Sequence, residues 1–130
     1  QLSRNRAFLG DEGQSRIDAA FVVIVGVGAV GSHAAQLVAR TGVRRLRLID
    51  PAPVSPRTLR SHAVATAADL GIPKAHISCD SLLRTLPRAS VQVMVEALDQ
   101  QNAEACVEGR PDCVLLCLPS VEHIAVALAA

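Results

Sequence analysis

Between Phe21 and Asp50 the hydrophobic period of the sequence changes twice, and this leaves few folds open. Phe21-Val22-Val23-Ile24-Val25 is an unbroken apolar run ending in glycine, the pattern of a strand buried on both faces. Val30, Ala34, Leu37, Val38 and Thr41 then recur as one stripe of a helix, with Gly42 in the position of a C-terminal cap. Arg45 to Asp50 alternates at its start and is stopped by Pro51 and Pro53. Strand, helix and strand within thirty residues form a right-handed parallel crossover. The expected fold is therefore α/β, a Rossmann-like, doubly wound and mainly parallel sheet. Its first strand is central, the second lies beside it, and the helix from Ala29 packs on one face.

The remaining chain extends that pattern. Ala52 to Ile72 reads as a loop with a short helix near Ala63 to Leu70, and Pro73 opens a helix that runs to about Leu86. Val91 to Val95 is a third strand, Gln100 to Glu108 a short helix, and Cys113 to Leu118 a fourth strand ended by Pro119. Ser120 caps a helical tail. No repeat, low-complexity tract or linker interrupts residues 1–130, which read as one domain.

Composition narrows the function. Half of the 130 residues are apolar and 19% are charged, which excludes intrinsic disorder. The net charge of +1 provides no general basic field, so any RNA contact must be local. The longest apolar stretch, Ala19 to Val30, is broken by glycines and falls short of the roughly 20 residues of a membrane span. Trp and Tyr are absent and Phe8 and Phe21 are the only aromatics, so base-stacking platforms are excluded. Cys79, Cys106, Cys113 and Cys117 form no Cys-x-x-Cys pair and read as core hydrophobes in a reducing compartment. The start at Gln1 and the uncapped helical end are expected of a processed or trimmed chain.

Gly26-Val27-Gly28-Ala29-Val30-Gly31 joins the first strand to the helix, and Asp50 ends the second strand nineteen residues after the last glycine. The first glycine permits the tight turn, the second lets backbone approach a phosphate, and the third lets helix and strand pack closely. The free N–H groups and the helix dipole favour an anion, and the acid can accept from ribose hydroxyls. Glycine turns of this kind also occur in doubly wound domains that bind nothing. Spacing alone would suggest NAD.

The surrounding residues point elsewhere. Ser3-Arg4-Asn5-Arg6-Ala7-Phe8-Leu9-Gly10, Val30-Gly31-Ser32, Arg40-Thr41-Gly42-Val43, Ile49-Asp50, Ser61-His62-Ala63-Val64-Ala65-Thr66 and Asp69-Leu70-Gly71-Ile72-Pro73-Lys74 resemble the ThiF-type, ubiquitin-activating-enzyme superfamily. Within it they are most similar to the tRNA threonylcarbamoyladenosine dehydratases. The resemblance implies an enzyme that binds ATP and magnesium, adenylates a carboxylate and expels AMP, with threonylcarbamoyl-adenosine in tRNA as substrate. It assigns Gly26, Gly28 and Gly31 to the phosphate turn, Asp50 to the ribose and Lys74 to the phosphates, and has Arg4 reach phosphates across a dimer.

Other positions depart from the family. Its second acid after the second strand falls at Ala52, and its phosphate arginine falls at Ser61, with Arg60 one position earlier. Its Asp-x-x-Asp-Asn ending of the fourth strand aligns with Leu116-Cys117-Leu118-Pro119-Ser120, which carries no carboxylate. Glu96 and Asp99, after the third strand, are a competing acid pair. These losses favour a degenerate, non-adenylating domain that acts as a structural or partner subunit and needs no cofactor. The alternative is an active dehydratase using ATP and magnesium.

No metal site and no catalytic residue is assigned. His33, His62, His76 and His123 read as surface or packing residues, and Arg44, Arg45 and Arg47 as an exposed edge. A homodimer or larger complex is expected, covering the sheet edge and the helix face of Ile124 and Leu128. tRNA is a partner only if the enzyme reading is correct. The Arg-rich opening suggests an imported, mitochondrial protein, with the cytoplasm as the other choice.

Overall fold

The computed structural model describes residues 2–129. Four parallel strands, β1 (Phe21–Val25), β2 (Arg45–Ile49), β3 (Ser90–Met94) and β4 (Cys113–Leu116), lie in the order β3-β2-β1-β4. As the sequence predicts, β1 is central with β2 beside it, in the register Phe21 to Arg45 through Val25 to Ile49. All five β1 side chains are buried, which explains why that run has no polar alternation. β4 pairs with the other side of β1. Asp112 fixes its start, accepting from the Phe21 N–H through Oδ2 at 2.8 Å while its own N–H donates to the Phe21 carbonyl at 2.9 Å.

Five helices accompany the sheet: α1 (Ser3–Ala19), α2 (Ala29–Arg40), α3 (Lys74–Thr85), α4 (Ala103–Cys106) and α5 (Val121–Ala129). On one face, Val22, Ile24, Leu46 and Leu48 meet Ala35 and Ala39 of α2 and Ala75, Cys79 and Leu82 of α3. On the other face, Phe21, Val23, Val25 and Ile49 are covered by Cys106 of the short α4 and by partly buried Met94, Leu98, Leu116 and Leu118.

Several expectations need correction. Of the apolar stripe that identifies α2, Val38 packs against the core but Val30 and Leu37 do not. Val30 and Leu37 are 68% and 66% exposed, whereas Gly31, Ser32, Ala35 and Ala39 are buried, since small residues let the helix axis approach the sheet. The expected exposed edge of Arg44, Arg45 and Arg47 is not an edge, because β2 lies inside the sheet, and although Arg44 and Arg45 are exposed, Arg47 is buried. Arg45 stands 4.4 Å from the Phe21 ring centroid. Buried Arg47 stands 5.2 Å from it and donates to Gln92 Oε1 and to the Ala105 and Cys106 carbonyls. In place of the Ala63 to Leu70 helix stands one 3₁₀ turn, Ala67–Asp69, and a first 3₁₀ turn, Thr58–Arg60, precedes it. The predicted helix at Gln100 to Glu108 shortens to α4, and β4 ends two residues early, at Leu116. The N-terminal segment, read only as a motif, is helical with a break at Gly10, where φ is +74°.

Candidate functional site

The glycine turn lies at the C-terminal end of the sheet, where doubly wound folds bind ligands. Gly26 has φ +87°, and a Cβ there would stand 2.4 Å from the Cys117 carbonyl oxygen. At Gly31 a Cβ would lie 1.7 Å from the Gly26 oxygen. Both glycines are therefore structural. Gly28 differs, because the nearest atom to a Cβ there would be Lys74 Nζ at 3.8 Å. The middle of the turn is open, with an ammonium group above it.

Asp50 and Lys74 are brought together by the loop between β2 and α3. Val54 donates to the Ile72 carbonyl at 2.8 Å, Gly71 to the Val54 carbonyl at 2.9 Å, and Lys74 to the Ala52 carbonyl at 3.1 Å, while Pro53 bridges Pro73. This closure starts α3 beside the end of β2. Lys74 Nζ then lies 3.1 Å from Asp50 Oδ2, and that oxygen also accepts the Val27 N–H at 2.8 Å. Asp50 Oδ1 accepts the Ala52 N–H at 2.8 Å. Asp50 is only 4% exposed, so its carboxylate first of all ties the glycine turn to the lysine.

His62 and Ser32 complete the site, and the sequence reading gave neither a role there. Ser32 Oγ accepts the Ala63 N–H at 2.9 Å, pinning the loop to the start of α2. His62 is buried, and its Nδ1 accepts from the N–H groups of Val64 at 3.3 Å and Ala65 at 3.1 Å. Those bonds require an unprotonated Nδ1. Burial, followed by the nearby Lys74 ammonium, lowers the imidazole pKa, with a hydrogen bond to the Val27 backbone and the Asp50 charge opposing. The signal available in the sequence was position: both residues lie within the quoted family motifs.

The other candidates are dispersed. Arg4 is exposed on α1, whose Asn5 and Gln14 side chains donate to the Thr41 carbonyl beyond the far end of α2. The twelve residues of α2 place that end about 18 Å from the turn. Glu96 and Asp99 follow β3, with β2 between that strand and β1. Asp99 Oδ1 accepts the Gln101 and Asn102 N–H groups in a local turn. Arg60 is exposed on the first 3₁₀ turn.

ATP and magnesium fit this site unequally. Open Gly28 and Lys74 suit a phosphate. Magnesium seeks oxygen ligands, usually a carboxylate with the phosphates. Where the chain leaves β4 against the turn, the residues are Cys117, Leu118, Pro119 and Ser120, and the Ser120 hydroxyl contacts His123 Nδ1. Asp50 is already engaged. Among the described residues, no group of three His, Cys, Asp or Glu side chains is placed to hold a metal ion.

Sheet order, glycine turn and the Asp50–Lys74 pair together define a doubly wound α/β domain whose glycine turn is open at Gly28. The chain belongs to the ThiF family, which matches residues 2–126. It is 33% identical over 125 residues to tRNA threonylcarbamoyladenosine dehydratase 1 of Saccharomyces cerevisiae, covering 94% of this chain and 29% of that protein. Dehydratase 2 of the same yeast is 29% identical over 123 residues, covering 93% and 28%. The fold is shared with the Escherichia coli tRNA N6-threonylcarbamoyladenosine dehydratase solved with ATP. There the TM-score is 0.91 at 24% identity, over 98% of this chain and 53% of that one. The chain thus spans less than a third of these curated relatives and about half of the solved one.

Proposed function

We propose that this is a degenerate ThiF-type domain that retains a phosphate-binding turn, no longer adenylates, and serves as a structural or partner subunit. One observation carries the reading. Leu116 to Ser120, the run in which the family resemblance places a metal acid, contains no carboxylate, and its Cys117 and Leu118 lie against the turn. Adenylation gathers negative charge between carboxylate, α-phosphate and leaving pyrophosphate, and metal and cations supply much of its stabilisation. Removing one such donor commonly costs about a hundredfold or more in rate. Here Ser61 replaces an arginine as well. Exposed Val121 and Leu128 on α5 and half-exposed Val114 at the sheet edge support assembly with a second copy or another protein.

An active dehydratase acting on tRNA is the second reading, favoured by Lys74 standing over an open Gly28 and by the names of the relatives. ATP–pyrophosphate exchange with calorimetric ATP titration, each with and without magnesium, separates the two. We expect weak, magnesium-independent ATP binding and no exchange. Tight magnesium-dependent binding accompanied by exchange would establish the enzyme.

A further inference from the structure

The end of the sheet opposite the glycine turn contains a cavity of about 860 Å³. It is walled by the start of α1, the turn between α2 and β2, and the turn between α3 and β3. Arg6, Arg40, Arg44 and Arg88 line it, with Val43 and Leu86 among its apolar residues. No carboxylate lines it, and among the described residues none of these four guanidinium groups forms an ion pair. A chain of net charge +1 thus gathers four solvent-exposed guanidinium groups around one mouth, where their fields add and attract an anion. Arg40 has a local explanation in the last turn of α2, where a cation offsets exposed carbonyls. The other three stand on separate segments.

The chemistry of the lining selects the ligand. The volume of this half-open groove falls within the roughly 300–1,000 Å³ of small-molecule sites. Guanidinium groups pair with phosphate through two parallel hydrogen bonds and stack on planar rings, unlike a lysine point charge. Partly exposed Leu86 and exposed Pro87 add apolar surface beside the guanidinium groups. We propose that this arginine-lined cavity is a second anion site that takes a phosphate-bearing nucleotide, either free or within an RNA strand. It lies the length of α2 from the glycine turn and does not depend on whether adenylation survives.

The test uses the intact protein and a short fluorescein-labelled RNA hairpin, read by anisotropy between about 50 and 200 mM salt. The Arg6→Ala/Arg88→Ala double variant should bind about tenfold more weakly, with a salt slope smaller by about 1.5. Arg57→Ala, in the loop beyond β2, should bind like the wild type. Arg44→Gln alone should lose about threefold, and melting curves confirm that each variant is folded. Inorganic tripolyphosphate displacing the hairpin, in a manner that depends on Arg6 and Arg88, assigns the site to a free phosphate ligand; failure to displace a bound hairpin assigns it to the strand. Equal hairpin affinity in the wild type and the double variant overturns the proposal, as does an equal loss in Arg57→Ala. Binding of neither probe by the wild type also overturns it.

Discussion

Lys74 is the only lysine in the sequence, and it meets Asp50 at a buried pair that also holds the Val27 N–H. Asp50→Ala would leave the ammonium without its partner and two backbone donors without an acceptor. Breaking such a pair from one side costs about 3–5 kcal/mol, so a fall of about 3 kcal/mol in urea unfolding is expected, with a smaller one for Asp50→Asn. His62 has a separate signature. Its pKa is lowered from 6.5 in the folded chain, so below pH 6.5 the unfolded state binds more protons than the native state. Stability from this residue is complete above pH 6.5 and falls as pH drops through that value towards the lower folded pKa. His62→Asn, whose Oδ1 can replace the Nδ1 acceptor, should flatten the difference between urea midpoints at pH 5.5 and 7.5. An undiminished difference would place the proton elsewhere. The identities of Asp50 and Lys74 were legible from spacing and resemblance. The engagement of the carboxylate by Val27 and Ala52 was not, because backbone donors carry no sequence signal.

Within the turn and α2, Gly31 and Gly28 predict different phenotypes. Gly31→Ala drives a Cβ to within 1.7 Å of the Gly26 oxygen, so α2 must lift from the turn. Overpacking of this severity costs about 3 kcal/mol or more, visible as a lower melting temperature. Gly28→Ala meets nothing closer than Lys74 Nζ at 3.8 Å. It should fold like the wild type while losing affinity for tripolyphosphate at the turn, measured by calorimetry. It therefore tests the turn more cleanly than Asp50→Ala, which also removes structural bonds. Unchanged affinity would show that no phosphate approaches Gly28. The period of α2 was readable, but its packing face was not. A helix against a sheet favours small residues there, while Val30 and Leu37 face outward and mislead any reading that equates apolar with buried.

Across the whole molecule, the strand order sets the environment of each thiol. Cys79 and Cys106 are buried on opposite faces, Cys117 is half-buried at the turn, and Cys113 is exposed at the start of the edge strand β4. Burial raises the pKa values of the first three thiols. Limited alkylation near neutral pH should modify Cys113 first and Cys79 and Cys106 last, as mass spectrometry would show. Rapid labelling of Cys106 would mean that α4 does not close its face of the sheet. Sedimentation should show a dimer or larger assembly covering the exposed apolar residues of α5, and a stable monomer across concentrations would contradict the partner-subunit proposal.

The sequence by itself determined the parallel α/β class, the central first strand and the glycine turn, because hydrophobic period and glycine placement act locally along the chain. It also showed directly that Leu116 to Ser120 carries no carboxylate, since composition needs no coordinates. Tertiary structure alone decided that β4 lies against β1, that Arg47 is buried beneath α4, and that His62 faces Lys74 and Asp50. It also decided that Arg6, Arg40, Arg44 and Arg88 share one cavity. These pairings join residues distant in the chain, and which of them form depends on how helices close over a twisted sheet rather than on the pattern of any single segment.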